Sequence, residues 1–144
     1  MYGDTDVIRG LAGSLRTQGD RVRVEADTLL HLAETTPWRG LAAEAMRARA
    51  RDGATALRRT ADLHADAADA LVRHADEVDR RKALIARIEH EAMHLVDEAR
   101  SRLSGLLGSL TPSWVDQWLD GFQPPPPGHR DWLTVQLPFA VPGL

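Results

Sequence analysis

Pro37-Trp38-Arg39-Gly40 decides the fold of this 144-residue chain. Proline has no backbone N–H and disfavours helical angles at the residue before it, so a preceding helix should end at Thr36. Glycine adopts backbone angles that other residues avoid, which suits a tight turn at Gly40. Helical spacing of apolar residues stops at Ala33 and resumes at Leu41. We therefore expect a connection of about five residues between two antiparallel helices.

The segment before the turn predicts one long helix, from a cap at Asp4 or Thr5 to about Thr35. Apolar residues recur there at spacings of three and four, as on one helix face. They are Ile8, Leu11, Leu15, Val22, Leu29 and Leu32, with Gln18 and Glu25 or Ala26 at the positions between them. Three glycines each weaken this helix by roughly 1 kcal/mol relative to alanine if exposed. Glycine in this setting can also allow the close approach of a second helix.

The segment after the turn predicts a second helix that begins near Leu41. Its stripe alternates steps of four and three, which is the pattern of a coiled coil. The stripe consists of Met46, Ala50, Gly53, Leu57, Thr60, His64, Ala67, Leu71, His74 and Val78. Beyond it the pattern continues through Ile85, Ile88, Ala92, Leu95, Ala99 and Leu103, and neither proline nor glycine interrupts residues 54–104.

The two predicted helices differ in length, which leaves part of the second stripe without a partner. The first would span roughly 46 Å, whereas residues 41–104 as one helix would span roughly 96 Å. Either the chain bends near Asp79 to form a three-helix bundle, or a second subunit covers the stripe from Ile85 to Leu103.

The C-terminal part predicts a tail of mixed structure. Residues 104–112 break the helical pattern, and Ser113 then caps a short amphipathic helix that carries Trp114 and Trp118. Pro124–Pro127 predicts a polyproline II spacer, followed by an extended segment around Trp132. This tail either packs back onto its own helices or docks on a partner. We expect a helical domain over residues 1–110 and the tail over 111–144.

The composition excludes several classes of function. Charged residues make up 27% of the chain, with both signs interspersed and a net charge of -3, which is unlike a nucleic-acid-binding surface. There is no cysteine, hence no disulfide or thiol chemistry. No apolar run approaches the roughly 18 residues of a membrane span, and the N-terminus lacks the pattern of a general secretory signal peptide.

One stretch of the sequence matches a motif known from enzymes, namely His90-Glu91-Ala92-Met93-His94. It matches HExxH, in which two histidines one helical turn apart hold zinc and the glutamate acts as a base. Glu89 places a charge directly before the motif, and no third ligand follows in the sequence. We therefore expect no metal, cofactor or catalytic residue, and a small zinc-dependent hydrolase is the alternative. His64 and His74 could make assembly depend on pH.

The turn and its surroundings resemble a known family. Trp38-x-Gly40 between two amphipathic helices is similar to the WxG family of helical-hairpin proteins linked to type VII secretion, and residues 1–80 look like its longer actinobacterial members. Members that are secreted carry a YxxxD/E signal after the second helix. The corresponding residues 74–78 here lack tyrosine, whereas Tyr2 opens a matching stretch, Tyr2–Asp6, before the first helix. A partner could supply the signal.

Together these patterns predict an all-α fold, an antiparallel helical hairpin with a Pro-linked tail, that assembles into a four-helix bundle as a homodimer or heterodimer. The resemblance implies a non-enzymatic type VII secretion substrate or its helical partner, either cytoplasmic or secreted without a cleaved signal peptide. A coiled-coil adaptor unrelated to secretion is a further alternative. The residues that we predict at the turn or against a partner are Trp38, Gly40, Leu57, Leu71, Ile85, Ile88, Leu95, Trp114, Trp118 and Trp132.

Overall fold

The computed structural model describes residues 4–104 and 113–136, and within them it is all-α, as predicted. Helix α1 spans Thr5–Thr35, α2 spans Leu41–Ser104, α3 spans Ser113–Gly121, and a single 3₁₀ turn spans Arg130–Thr134. The chain divides into two compact units, Asp4–Glu77 and the chain from Val78 onwards. The predicted boundary near residue 110 lies outside the described residues.

The first unit is the predicted hairpin. Asp4 is the N-cap of α1, where its side chain accepts a hydrogen bond from the backbone N–H of Asp6 at 2.9 Å. Helix α1 ends at Thr35 and α2 begins at Leu41, so the expected five-residue connection is confirmed. At the end of α1, the Thr36 N–H donates to the Leu32 carbonyl at 3.1 Å.

Small residues, rather than the predicted leucines, form the contact line between α1 and α2. On α1 the buried residues recur at every seventh position: Thr5, Ala12, Gly19, Ala26 and Ala33. On α2 the matching buried positions are Ala54, Ala61, Ala68 and Ala75. We call these two rows the small-residue line. Short side chains let the backbones approach closely, as Gly19 shows. A Cβ atom placed there would lie 3.1 Å from the Ala61 carbonyl oxygen.

The expectation that the larger apolar residues fill the contact between the helices is therefore wrong in part. Leu11 and Leu32 are 55% and 59% exposed, and Thr60 and His74 are also exposed. Because α1 and α2 approach along alanine and glycine, a leucine does not fit between them and lies to one side instead. Leu57 and Leu71 are half-buried in this lateral position.

A series of ion pairs runs along one side of the hairpin and fixes its register. As the arginine advances by seven residues on α1, its aspartate partner retreats by seven on α2. The pairs are Arg9–Asp76 at 2.8 Å, Arg16–Asp69 at 2.7 Å and Arg23–Asp62 at 2.9 Å, followed by the reversed pair Asp27–Arg58 at 2.6 Å. The pKa of Arg23 is raised, chiefly by its hydrogen bond to Asp62. Desolvation of the guanidinium lowers this pKa, and the negative charges of Asp62 and Asp20 raise it further.

The second unit contains the C-terminal half of α2 and the tail. Helix α2 continues without a break through Asp79 to Ser104, so the alternative in which the chain turns near Asp79 to start a third helix does not hold. Its residues Ile85, Ile88 and Ala92 are buried together with Trp132, which is 1% exposed. The chain's own tail therefore covers this part of the stripe. Leu95 and Ala99 are half-buried, and the side chain of Leu103 lies outside the described residues.

The segment around Trp132 is a 3₁₀ turn, so the predicted extended conformation is wrong. Local hydrogen bonds hold this turn: the Trp132 N–H donates to the His129 carbonyl at 3.1 Å, and the Thr134 hydroxyl donates to the Asp131 carbonyl at 2.8 Å. Residues three apart share one side of a 3₁₀ helix. Trp132 and Val135 accordingly both pack against the cluster on α2, which an alternating strand would not allow.

Candidate helix-docking surface

Trp38 lies at the tip of the hairpin, where its backbone is fixed and its side chain is 49% exposed. The Trp38 N–H donates to the Thr36 carbonyl at 2.8 Å. Arg47 of α2 reaches back to the turn and donates to three carbonyls, those of Ala33 at 3.1 Å, Thr36 at 3.1 Å and Trp38 at 2.8 Å. A helix leaves its last carbonyls without partners, and this guanidinium satisfies the one at Ala33 and bonds to two further carbonyls in the turn. Four hydrogen bonds therefore hold the turn, and about half of the Trp38 side chain is presented to solvent.

Gly40 is required by the backbone angle at this position. Its φ is 102°, in the region that residues with a Cβ atom rarely adopt. The Gly40 carbonyl accepts a hydrogen bond from the Glu44 N–H at 3.1 Å, which starts α2. The Trp-x-Gly spacing thus has a structural reason: glycine reverses the chain, and the tryptophan two residues earlier stands at the tip.

One side of the hairpin carries most of its large apolar residues, and we call it the apolar face. It consists of Ile8, Leu11, Leu15, Val22, Leu29 and Leu32 on α1 and of Met46, Ala50, Gly53, Leu57, His64 and Leu71 on α2. The two rows meet where a Cβ atom at Gly53 would lie 3.4 Å from a Leu29 methyl group. The α2 row also lies next to the small-residue line, since a Cβ atom at Gly19 would lie 3.3 Å from the His64 Cβ. The ion pairs lie on the other side of the small-residue line.

An open groove of about 390 Å³ lies on this face next to the turn. Its lining is apolar except for one threonine and one arginine: Leu29, Leu32, Ala33, Thr36, Met46, Arg49 and Ala50. Leu32 is exposed at its rim, and Ala33 and Ala50 are buried at its floor. A groove of this shape fits an apolar side chain from a second helix.

The predicted partner-contacting residues fall into two groups. Leu57 and Leu71 lie on the apolar face of the first unit. Those of the second unit mostly serve its internal packing, since Ile85, Ile88 and Trp132 are buried against one another. Trp118 stacks on Phe122 with ring centroids 4.6 Å apart and donates from Nε1 to the Gln136 carbonyl at 3.4 Å. The side chain of Trp114 lies outside the described residues.

The histidines of the HExxH motif are not part of a group of three or more possible metal ligands in the described residues. His90 and His94 are exposed on α2, and Glu91 is half-buried. Within residues 4–104 and 113–136, no group of three or more His, Cys, Asp or Glu is placed to hold a metal ion. Glu89, the neighbour of the motif, instead accepts a hydrogen bond from the Gly128 N–H at 2.9 Å and so holds the tail.

His64 and His74 differ in their surroundings. His64 is half-buried on the apolar face, and its Nδ1 donates to the Thr60 carbonyl at 2.8 Å. His74 is exposed. The predicted pH dependence of assembly therefore concerns His64 first, and it stays a prediction.

Sequence reasoning missed Arg47, Glu89 and the small-residue line. The line has a sequence signal, because alanine or glycine recurs every seven residues on both helices. The repeats Arg9, Arg16, Arg23 and Asp62, Asp69, Asp76 carry the same period with opposite charge. Arg47 and Glu89 have no such signal, since each acts on backbone groups far along the chain.

In the described part of the chain, none of the helices combines the length and apolar character that crossing a membrane requires. Comparisons with protein-family models, with curated proteins and with solved structures find no match to this chain.

Proposed function

We propose that this protein is a non-enzymatic interaction protein whose hairpin docks through its apolar face against a second helical hairpin. The observation that carries the proposal is the position of the leucines. Small residues close the hairpin on itself, which leaves Leu11, Leu29 and Leu32 on one side with substantial exposed area. A helix face of this kind is buried when it meets a second apolar helix face. Two such hairpins would form a four-helix bundle.

We further propose that the protein acts as a type VII secretion substrate or as the helical partner of one. The geometry of the turn supports this, because Trp38 stands exposed at a tip that Gly40 and Arg47 hold in place. Trp38 leaves 49% of its surface exposed, and an aromatic side chain presented to solvent in this way is suited to contact a partner.

Light scattering of purified variants tests the docking. The double variant Leu11→Glu/Leu32→Glu places two carboxylates on the apolar face, and we expect it to be monomeric at a mass near 15.9 kDa. The wild type should run at about twice that mass, or should do so once co-expressed with a small helical protein encoded beside it. Val24→Glu is the matched control, since Val24 is 62% exposed on a different face of α1. A wild type that stays monomeric in both settings contradicts the proposal.

Secretion needs its own test. We expect to find the chain in the culture filtrate of a host with an active type VII system. It should be missing from the filtrate when that system is inactivated. Equal amounts in both filtrates would contradict the secretion part and leave the docking part standing.

A further inference from the structure

We infer that His90 and His94 hold a divalent ion of the Ni²⁺, Cu²⁺ or Zn²⁺ type on the surface of α2, as its two ligands from this chain. The inference departs from the expectation that the chain holds no metal. It does not depend on the proposed docking function, since the pair lies in the second unit, outside the hairpin. The spacing of the two histidines, their exposure and the charge around them carry it.

The spacing of the two histidines suits a shared metal ion. Helix α2 runs without a break from Leu41 to Ser104, so His90 and His94 lie one turn apart on one face of it. Side chains four residues apart on a helix have Cβ atoms about 5–6 Å apart. A tetrahedral ion with metal–nitrogen bonds of about 2.0–2.1 Å needs two nitrogens about 3.3 Å apart. Rotation about the side-chain bonds closes that difference, as in the HExxH helices that hold zinc.

Both imidazoles are free to turn toward such an ion. Both are exposed, and within the described residues neither makes a hydrogen bond or an ion pair. The other histidines of the chain differ from this pair. The ring of His64 is bonded to a backbone carbonyl of its own helix, and that of His129 lies against a neighbouring carboxylate. The remaining two histidines have no second histidine one turn away.

The pair lies on the side of α2 that the tail leaves open. Residues two apart on a helix point about 160° away from each other, so His90 lies opposite Ile88 and Ala92. Those two residues are buried together with Trp132 of the tail. A metal ion at the pair is therefore reached directly from solvent, and neither its uptake nor its loss requires the tail to move.

The charges around the pair favour a cation. Between residues 86 and 98 the sequence has one arginine and four carboxylates, which is a formal charge of -3. Asp97 is exposed one turn beyond His94 and shares the face of the two histidines. Within the described residues no third side chain joins the pair as a ligand. The Asp97 carboxylate is instead suited to accept a hydrogen bond from a metal-bound water.

The type of ligand selects the class of metal. Neutral imidazole suits Ni²⁺, Cu²⁺ and Zn²⁺, whereas Mg²⁺ and Ca²⁺ prefer oxygen ligands. Two nitrogen ligands leave the other positions of a four-coordinate ion to water. The site is therefore open, and a nitrogen or oxygen ligand from another molecule can replace that water.

Calorimetric titration of the tag-free protein with Ni²⁺ tests the site. We expect one ion per chain, and tighter binding of Cu²⁺ than of Ni²⁺, as the usual order of affinities requires. His90→Gln and His94→Gln should each weaken Ni²⁺ binding by about tenfold or more, because each removes one of two ligands. His31→Gln and His74→Gln are the matched controls at exposed single histidines and should leave the affinity unchanged. Circular dichroism should show the same helix content in all four variants, since the four side chains are exposed.

Nuclear magnetic resonance locates the ion independently of its affinity. Cu²⁺ is paramagnetic and broadens the signals of the imidazoles that bind it. A small fraction of one equivalent should therefore broaden the ring signals of His90 and His94 together, while those of His31 and His74 stay sharp. Broadening of all exposed histidines to the same extent would show only adventitious binding and would overturn the site.

Three further results would overturn the inference. The first is an unchanged Ni²⁺ affinity in His90→Gln and His94→Gln. The second is displacement of Ni²⁺ by an equal concentration of Mg²⁺ or Ca²⁺, which would assign the ion to carboxylates. The third is one ion for every two chains, because a single helix would then not hold it. All of them leave the docking function standing, since its test is the mass of the Leu11→Glu/Leu32→Glu variant.

Discussion

Gly19 lies directly against the backbone of Ala61. A Cβ atom at position 19 would lie 3.1 Å from the Ala61 carbonyl oxygen, closer than most real Cβ contacts. This contact marks the centre of the small-residue line, and it explains why the leucines of both helices lie to one side. The close approach of two helices and the existence of the apolar face thus have one cause.

Replacing glycine by alanine at two positions of α1 separates the close approach from helix propensity. An added methyl group at Gly13 would meet no heavy atom within 4 Å apart from its own helix and neighbours, so Gly13→Ala should stabilise the protein by up to about 1 kcal/mol. Gly19→Ala gains the same propensity but must displace a carbonyl oxygen. We expect it to be at least about 1 kcal/mol less stable than Gly13→Ala in urea unfolding followed by circular dichroism. Equal stability of the two variants would show that the helices are not in close contact here.

Gly40→Ala tests the turn. The positive φ at this position strains any residue with a Cβ atom, so we expect a loss of about 1–3 kcal/mol in the free energy of unfolding. Gly10→Ala is the control, because Gly10 lies within α1 with no atom near the added methyl group, and it should be neutral or stabilising. Equal effects of both substitutions on the urea midpoint would count against the turn geometry.

Arg47→Met tests the contact that closes the turn. Methionine keeps the apolar stem but removes the hydrogen bonds to the carbonyls of Ala33, Thr36 and Trp38. A hydrogen bond to a charged group contributes about 1.5–3 kcal/mol, and of the three only the bond to the Ala33 carbonyl is part-buried, whereas the other two are exposed. We expect a loss in that range and faster hydrogen exchange at the end of α1. Arg59→Met, an exposed arginine on the same helix, should change stability by less than about 0.5 kcal/mol.

The sequence predicted those features of the fold that depend on residues close together in the chain. Proline, glycine and helical spacing placed the turn to the residue and predicted both helices of the hairpin. On each helix, a row of alanine or glycine and a row of leucine recur with the same period. Spacing alone therefore does not tell which of the two rows lies between the helices. The cover over Ile85 depended on contacts from Trp132, far along the chain, and on the bond between Glu89 and Gly128. Such distant contacts leave no periodic signal.

A charge swap tests the register of the hairpin. Arg16→Asp places a second carboxylate next to Asp69 and should cost up to about 1 kcal/mol at low salt, as expected for an exposed pair. Asp69→Arg should cost a similar amount. The double variant restores the pair with its direction reversed and should recover most of the loss. High salt should reduce all three differences, and a double variant as unstable as the sum of the single variants would mean that the two side chains do not interact.

Trp132→Ala tests whether the tail is an integral part of the second unit. The indole is 1% exposed, packs on Ile85 and Ile88, and donates from Nε1 to the Pro126 carbonyl at 3.1 Å. Removing a buried tryptophan typically costs about 3–5 kcal/mol. We expect faster hydrogen exchange in α2 around these isoleucines and new binding of a hydrophobic dye there. Leu133→Ala alters the adjacent residue, which is 40% exposed, and should leave both measurements unchanged. If the two variants behave alike, Trp132 does not hold the tail on α2, and the isoleucines must be covered in another way.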